Sequence, residues 1–387
     1  MQQGNGIYCI SPCHGMNSTV IHAMNVLDKI EMIFLLAGLK IRMLFSNLVK
    51  LDNRYRIDRI DSKYLEGNAL GCPSRRDLRI YLPPGYFDSP SARYPVIYLL
   101  HGYNAGHGKW TITSRHELAT SGASLLQACP RKFRAIQPER LVLFYEQLDA
   151  LIKQGALPPF ILVQPDASLR VPVGGKEQLK GSLYVASPRT GDFPRYILDE
   201  IIPHVDATYR TIPEQRGRVL VGGSMGGYGA LHLASMAPGM FCFVGASCPM
   251  EFDRGLAGHR KPSPMEVELL GQEQAEHAAK RSMEELVATI DLIVGTRWDE
   301  YSVQHLLETR TTAFKQAALY LYCEERDEIG LAASTKKMHE TMERLGIPHE
   351  FVVGKDPRNA LSPHVLGSLS QIDPVLRKCT AGFPRAA

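Results

Sequence analysis

The stretch Arg218–Ala234, RVLVGGSMGGYGALHLA, decides how the rest of the chain reads. The apolar run Val219-Leu220-Val221 ends in Gly222-Gly223-Ser224-Met225-Gly226-Gly227, and a helix-like segment with Leu231 and Leu233 follows. Strand, sharp glycine turn and helix is the layout of a nucleophile elbow, and Gly222-x-Ser224-x-Gly226 fits the pattern G-x-S-x-G. The glycines have a physical task there. A nucleophile on such a turn is held in a strained backbone, and the residues two positions before and after it must be small for strand and helix to pass closely. The helix starting past Ser224 also turns its first N–H groups toward any negative charge that develops at the serine. The competing reading of these five residues is a structural or phosphate-binding glycine turn in an α/β domain.

A chain of 387 residues buries a full core, with room for one large α/β domain and an additional segment. Apolar residues at 44% and charged residues at 22% are ordinary for a soluble globular protein. The formal net charge of +4 is small for this length and argues for neither a nucleic-acid partner nor an acidic membrane surface. The eight cysteines are scattered, with Cys242 and Cys323 in apolar runs, so they read as free thiols rather than a disulfide framework. That usage favours a reducing, cytoplasmic compartment; export follows if the true start lies further in. Cys9-Ile-Ser-Pro-Cys13-His14 has one residue too many for a haem-attachment motif and no second Cys/His pair at zinc-finger spacing.

Along the chain, residues 1–60 read as an N-terminal extension. Its apolar Met32–Leu39 is too short to span a bilayer and is interrupted by Lys40 and Arg42, so it is expected as a helix rather than a transmembrane span. Residues 61–378 read as the catalytic domain and 379–387 as a tail. Within the domain Leu78–Leu82, Val96–Leu100, Phe160–Val163, Val219–Val221, Phe241–Gly245, Leu319–Cys323 and Phe351–Val353 read as strands. Helical spacing at Phe144–Ile152, Tyr196–Val205 and Met338–Leu345 alternates with them, which predicts a mostly parallel sheet with helices on both faces. Two segments break the rhythm: the polar Thr111–Arg140, and 249–316, expected as a helical insertion or cap after the sixth strand. In the latter, Ser282-x-x-Glu285 reads as a capping box that starts a helix. Both leave the edge of the sheet where open α/β folds bind ligands.

An unactivated serine needs a base, itself oriented by an acid, and in this layout they follow in the order Ser, Asp/Glu, His. The strand ending at Cys323 runs into Glu324-Glu325-Arg326-Asp327-Glu328. Asp327 is the preferred acid, because a short side chain a few residues past the strand turns back under a histidine; Glu325 is the runner-up. Of the three histidines that follow, His339 falls inside a helix and His349 at the start of the last strand, leaving His364 beyond that strand's end. The oxyanion donors expected are the backbone N–H groups of Met225, just past the nucleophile, and Tyr103, in the loop after Val96–Leu100. His101 precedes the nucleophile and reads as structural.

The runs Tyr94–Gly102, Trp110, Phe160–Asp166, Ile201–Thr211 and Gly222–Gly227 resemble the esterase family of α/β-hydrolases that includes esterase D (S-formylglutathione hydrolase), feruloyl and acetylxylan esterases, enterochelin-type esterases and the antigen 85 mycolyltransferases. The resemblance covers about residues 75–370. It implies an α/β-hydrolase fold with Ser224 as nucleophile, Asp327 as acid, His364 as base and Tyr103 and Met225 as oxyanion donors. The chain departs from the family at Glu324, where members often carry glycine, and at Ser362-Pro363, where glycine usually stands near the histidine. The expected activity is that of a serine carboxylesterase acting on a small-molecule or carbohydrate-linked ester, with no metal or organic cofactor and no nucleic-acid partner. An acyltransferase using the same triad, or a non-catalytic binding protein of the same fold, are the alternatives. The acyl group, the alcohol and the oligomeric state are not legible.

Overall fold

The long apolar runs do become strands, and they set the frame of a computed structural model that describes residues 53–103, 144–173, 176–254, 271–325 and 330–354, with positions 261, 262, 267, 378 and 380. The chain divides into two units, residues 1–50 with 114–141 and residues 51–113 with 142–387; every described residue belongs to the second. The Met32–Leu39 helix and the Thr111–Arg140 segment lie outside the described residues.

The main sheet has eight strands: β1 (Tyr55–Asp61), β2 (Arg75–Tyr81), β3 (Val96–Leu100), β4 (Ile161–Pro165), β5 (Arg218–Gly223), β6 (Phe243–Ser247), β7 (Ala318–Glu324) and β8 (His349–Gly354). Their spatial order is β1-β2-β4-β3-β5-β6-β7-β8. β2 is antiparallel to both neighbours, and from β4 to β8 every pairing is parallel. Two short antiparallel pairs, Ser168–Val173 with Lys176–Gly181 and Ala186–Ser187 with Gly191–Asp192, stand apart from it.

Because successive strand residues point to opposite faces, β3 feeds two cores at once. Val96, Tyr98 and Leu100 join Val163, Leu220, Val244 and Leu321 on one face. Ile97 and Leu99 join Leu162, Val219, Val221 and Tyr322 on the other. Each fully buried aliphatic side chain contributes about 1.5–3 kcal/mol, so losing one mid-strand residue is costly. Helix α1 (Phe144–Lys153) covers the second core through Tyr145 and Leu148. Helices α2 (Ile202–Thr208), preceded by a π turn over Tyr196–Ile201, and α3 (Met225–Met236) cover the first. The fold is an α/β hydrolase: a mostly parallel sheet clad on both faces.

Between β6 and β7 come α4 (Gln272–Val294), α5 (Trp298–Tyr301), α6 (Val303–Thr309) and α7 (Thr311–Phe314). The expected helix start at Ser282 is wrong. Helix α4 begins ten residues earlier, after Gly271 at φ 82°, and Ser282 lies inside it. Ala275, Ala279 and Met283 are buried at four-residue spacing, so the packed face continues straight through the apparent capping box. Helix α8 (Leu331–Arg344) then returns the chain to β8. Among the described residues no helix is long and apolar enough to cross a membrane.

Candidate active site

Ser224 stands between β5 and α3 with φ 56° and ψ −120°, a conformation that L-residues other than glycine rarely adopt. Such a backbone costs roughly 1–3 kcal/mol and persists only where the surroundings over-determine it. Here they do. The Ser224 N–H donates to the Ser247 carbonyl (2.9 Å), and the Ser224 carbonyl accepts from Met250 (3.0 Å) and Tyr228 (3.0 Å). The neighbouring Cys248 is itself at φ 42°, with its N–H on the Tyr322 carbonyl (2.7 Å). The end of β6 thus clamps the turn from the side.

The glycines permit this packing. A Cβ at Gly222 would overlap the Gly226 carbonyl, and one at Gly226 would overlap the carbonyls of Leu100 and His101. Strand β5, helix α3 and the end of β3 meet at backbone distance only because neither residue has a side chain. Met225, fully buried, is the first residue of α3, where backbone N–H groups have no partner within the helix.

At the end of β3, His101 is completely buried. Its Nε2 accepts from the Ala167 N–H (2.9 Å) and its Nδ1 lies 2.9 Å from the Gly102 carbonyl. Tyr103 follows, with its phenol donating to Thr289 Oγ1 on α4, while Met225 Sδ and the Tyr103 ring both crowd Gly181. The phenol is partly buried, and that desolvation pushes its pKa up to about 12, so it stays a neutral donor. Helix α4 is therefore tied to the loop expected to supply an oxyanion donor.

Sequence reasoning missed one clamp. Leu183 and Tyr184 are both in the left-handed region, at φ 61° and 54°. The Tyr184 ring lies where a Cβ of Gly229 would be, and its hydroxyl donates to the His101 carbonyl (3.1 Å). Gly229, three residues after Gly226 on the same helix, was its only trace in the sequence. Behind it His232, on α3, bonds the Tyr184 carbonyl (3.0 Å) and stacks on Tyr228. Burial drops its pKa to about 4, which keeps it neutral.

Of the expected site residues, Ser224, Met225 and Tyr103 are brought to one edge of the sheet, beyond the ends of β3 and β5. Asp327 and His364 lie outside the described residues. The runner-up acid, Glu325, is exposed, and its N–H donates to Gly354 at the end of β8 (2.9 Å). Glu324 accepts from the Tyr322 hydroxyl. His349 begins β8, where its Nδ1 bonds the Ile347 carbonyl (2.9 Å) and its Nε2 faces His339 Nδ1 (2.8 Å). Those two rings occupy each other at the opposite end of the strand. Among the described residues no group of three His, Cys, Asp or Glu is placed to hold a metal ion.

A strained serine on a glycine-lined strand–helix junction, at the carboxyl edge of a sheet in this order, defines an α/β hydrolase. The family described as "Putative esterase" matches residues 68–132 and 139–315, more than half of the chain, and the chain belongs to it. A curated relative, an endo-1,4-beta-xylanase/feruloyl esterase of Xylanibacter ruminicola, is 26% identical over 170 residues, 43% of this chain. That match spans 18% of the relative's own length. Among solved structures, a ferulic acid esterase has a TM-score of 0.52 at 19% identity, covering 85% of this chain and 98% of its own. An S-formylglutathione hydrolase from Agrobacterium tumefaciens has a TM-score of 0.51 at 14% identity, covering 87% of this chain and 98% of its own. At such identities the likeness is one of fold.

Proposed function

We propose that the chain is a serine carboxylic-ester hydrolase with Ser224 as nucleophile, working through an acyl-enzyme intermediate. His364 takes the Ser224 Oγ proton as Oγ attacks the ester carbonyl, and Asp327 holds the imidazole in the competent tautomer. The Met225 and Tyr103 N–H groups receive the oxyanion, each worth about 3 kcal/mol of barrier. His364 returns its proton to the departing alcohol. Water, deprotonated by the same histidine, then releases the acid and restores Ser224. In this reading residues 61–378 form the catalytic domain, joined by the edge strand β1 from Tyr55, with 249–316 as a helical insertion or cap, and no step calls for a cofactor.

The observation that carries the reading is the strained Ser224 backbone, held by bonds from β6 and by glycines that leave no space for side chains. Unlike the other non-glycine residues at positive φ, Leu183, Tyr184 and Cys248, Ser224 sits between a glycine-ended strand and a helix N-terminus, the layout of a nucleophile elbow. Ser224→Ala tests it. Turnover of p-nitrophenyl acetate is expected to fall by at least about 10³-fold with the circular dichroism spectrum unchanged; retained turnover contradicts the assignment. The feruloyl esterase activity named for relatives makes feruloyl and acetyl sugar esters the first substrates to compare.

A further inference from the structure

We propose that His101 is a positioning residue for the oxyanion site, acting through the peptide that joins Gly102 to Tyr103. The inference rests on the reading above of the Tyr103 N–H as an oxyanion donor.

The proton on the imidazole is located by its partners. The Ala167 N–H can only donate, so Nε2, 2.9 Å away, is the accepting nitrogen. The neutral ring then carries its proton on Nδ1, 2.9 Å from the Gly102 carbonyl, and donates to it. With Nε2 accepting from Ala167, Asp166 Oδ1 at 4.0 Å lies beyond hydrogen-bond reach of the ring. Asp166 acts one step further back. Its Oδ1 accepts from the Ser168 N–H (3.1 Å) and hydroxyl (2.6 Å), closing the turn that presents the Ala167 N–H. Buried Arg76 donates to the Ser168 carbonyl (2.6 Å) and lies 3.8 Å from Asp166 Oδ2.

A trans peptide is planar, with its C=O and N–H pointing in opposite directions. Holding the Gly102 carbonyl toward the imidazole therefore turns the Tyr103 N–H away from it. Gly102 lies against the nucleophile: a Cβ built on it would be 3.9 Å from Ser224 Cβ and 3.7 Å from the Gly223 carbonyl. The backbone of His101 is also fixed, since its carbonyl accepts from Tyr184 and packs on Gly226. The Nδ1–H bond fixes the orientation of the Gly102–Tyr103 peptide between the anchored His101 backbone and Tyr103, whose phenol is held by Thr289. An oxyanion donor must be preorganised to be effective, so the imidazole acts on the transition state without touching it.

The experiment compares His101→Ala, His101→Asn and His101→Gln, with kcat expressed per site titrated by a fluorophosphonate. Asn places an amide N–H near the position of Nδ1, and Gln places one near Nε2. The expected result is a fall in kcat of about 10- to 100-fold for Ala and Gln, with KM within about threefold, and substantial rescue by Asn. Affinity for a trifluoromethyl ketone, whose hemiketal oxygen mimics the oxyanion, falls in parallel with kcat. If Ala lowers the melting temperature or the titrated fraction but leaves kcat per site unchanged, or if Gln rescues as well as Asn, the proposal is overturned. A wild-type protein that is not labelled at Ser224 would instead overturn the serine-esterase reading itself.

Discussion

Glu251 follows the clamp at the elbow directly and makes the sharpest pH prediction. Its Oε1 accepts from the Phe252 N–H (2.8 Å) and from the Val303 N–H at the start of α6 (2.8 Å), tying the segment beside Ser224 to the helices after β6. The side chain is 6% exposed. Burial raises its pKa from 4.5 to about 7, outweighing the backbone bonds and Lys337, which pull it down. The folded protein therefore holds this proton across a pH range in which the unfolded chain has released it. Stability from this group is highest at low pH and falls as pH rises from about 4.5 through 7. At about 1.4 kcal/mol per pH unit the loss is about 3 kcal/mol. Glu251→Gln keeps the accepting oxygen and removes the titration. Urea unfolding at pH 5 and pH 8 should show the wild type losing about 3 kcal/mol more than the variant over that interval. Parallel pH dependences, or a wild type that gains on the variant as pH rises, would refute the reasoning.

Two further substitutions probe the frame. Gly226→Ala drives a methyl into the Leu100 and His101 carbonyls; thermal melting should show a loss of about 1–3 kcal/mol, with lower kcat per titrated site, and an unchanged pair of values contradicts the close-approach argument. Asp149→Ala removes the carboxylate that accepts from Arg54 Nη1 and Nη2 (2.9 and 2.7 Å) and from the Tyr81 hydroxyl (2.7 Å). It removes the counter-charge of a largely buried guanidinium and should cost about 3 kcal/mol. Burial works to raise the Asp149 carboxyl pKa, but Arg54 and Tyr81 outweigh it and the net direction is down. The pair therefore stabilises above the ordinary carboxylate range, and the gap between wild type and variant in urea unfolding should narrow as pH falls below that range.

The strands were legible where burial is two-sided. Every residue of Val96–Leu100 is buried, so each had to be apolar, and the run could be read without knowing its neighbours. The elbow was legible for a related reason, since backbone approach leaves only glycine at Gly222 and Gly226. The long helix α4 was not fully legible. Its first half is anchored by Ala275 and Ala279 among Glu273, Glu276, His277 and Lys280, and small residues make a faint stripe. The first antiparallel pair escaped because Lys176–Gly181 has a single large apolar residue and no polar–apolar alternation, and Pro172 interrupts the short alternation of Ser168–Val173. The left-handed Leu183 and Tyr184 escaped as well, because nothing in a leucine or a tyrosine announces a positive φ. For the site, pattern pointed to Ser224, Met225 and Tyr103, and chain order to Asp327 and His364. The buried bonds of His101 depend on Ala167, 66 residues downstream, and could not be read locally.

The central claim is that Ser224 is the nucleophile, and labelling with a fluorophosphonate followed by peptide mass spectrometry tests it most directly. One equivalent of adduct per chain is expected, on Ser224 within Val219–Met236, and prior incubation with a slowly deacylating ester should block it. An adduct on any other residue, or no adduct on folded protein that still turns over p-nitrophenyl acetate, would contradict it.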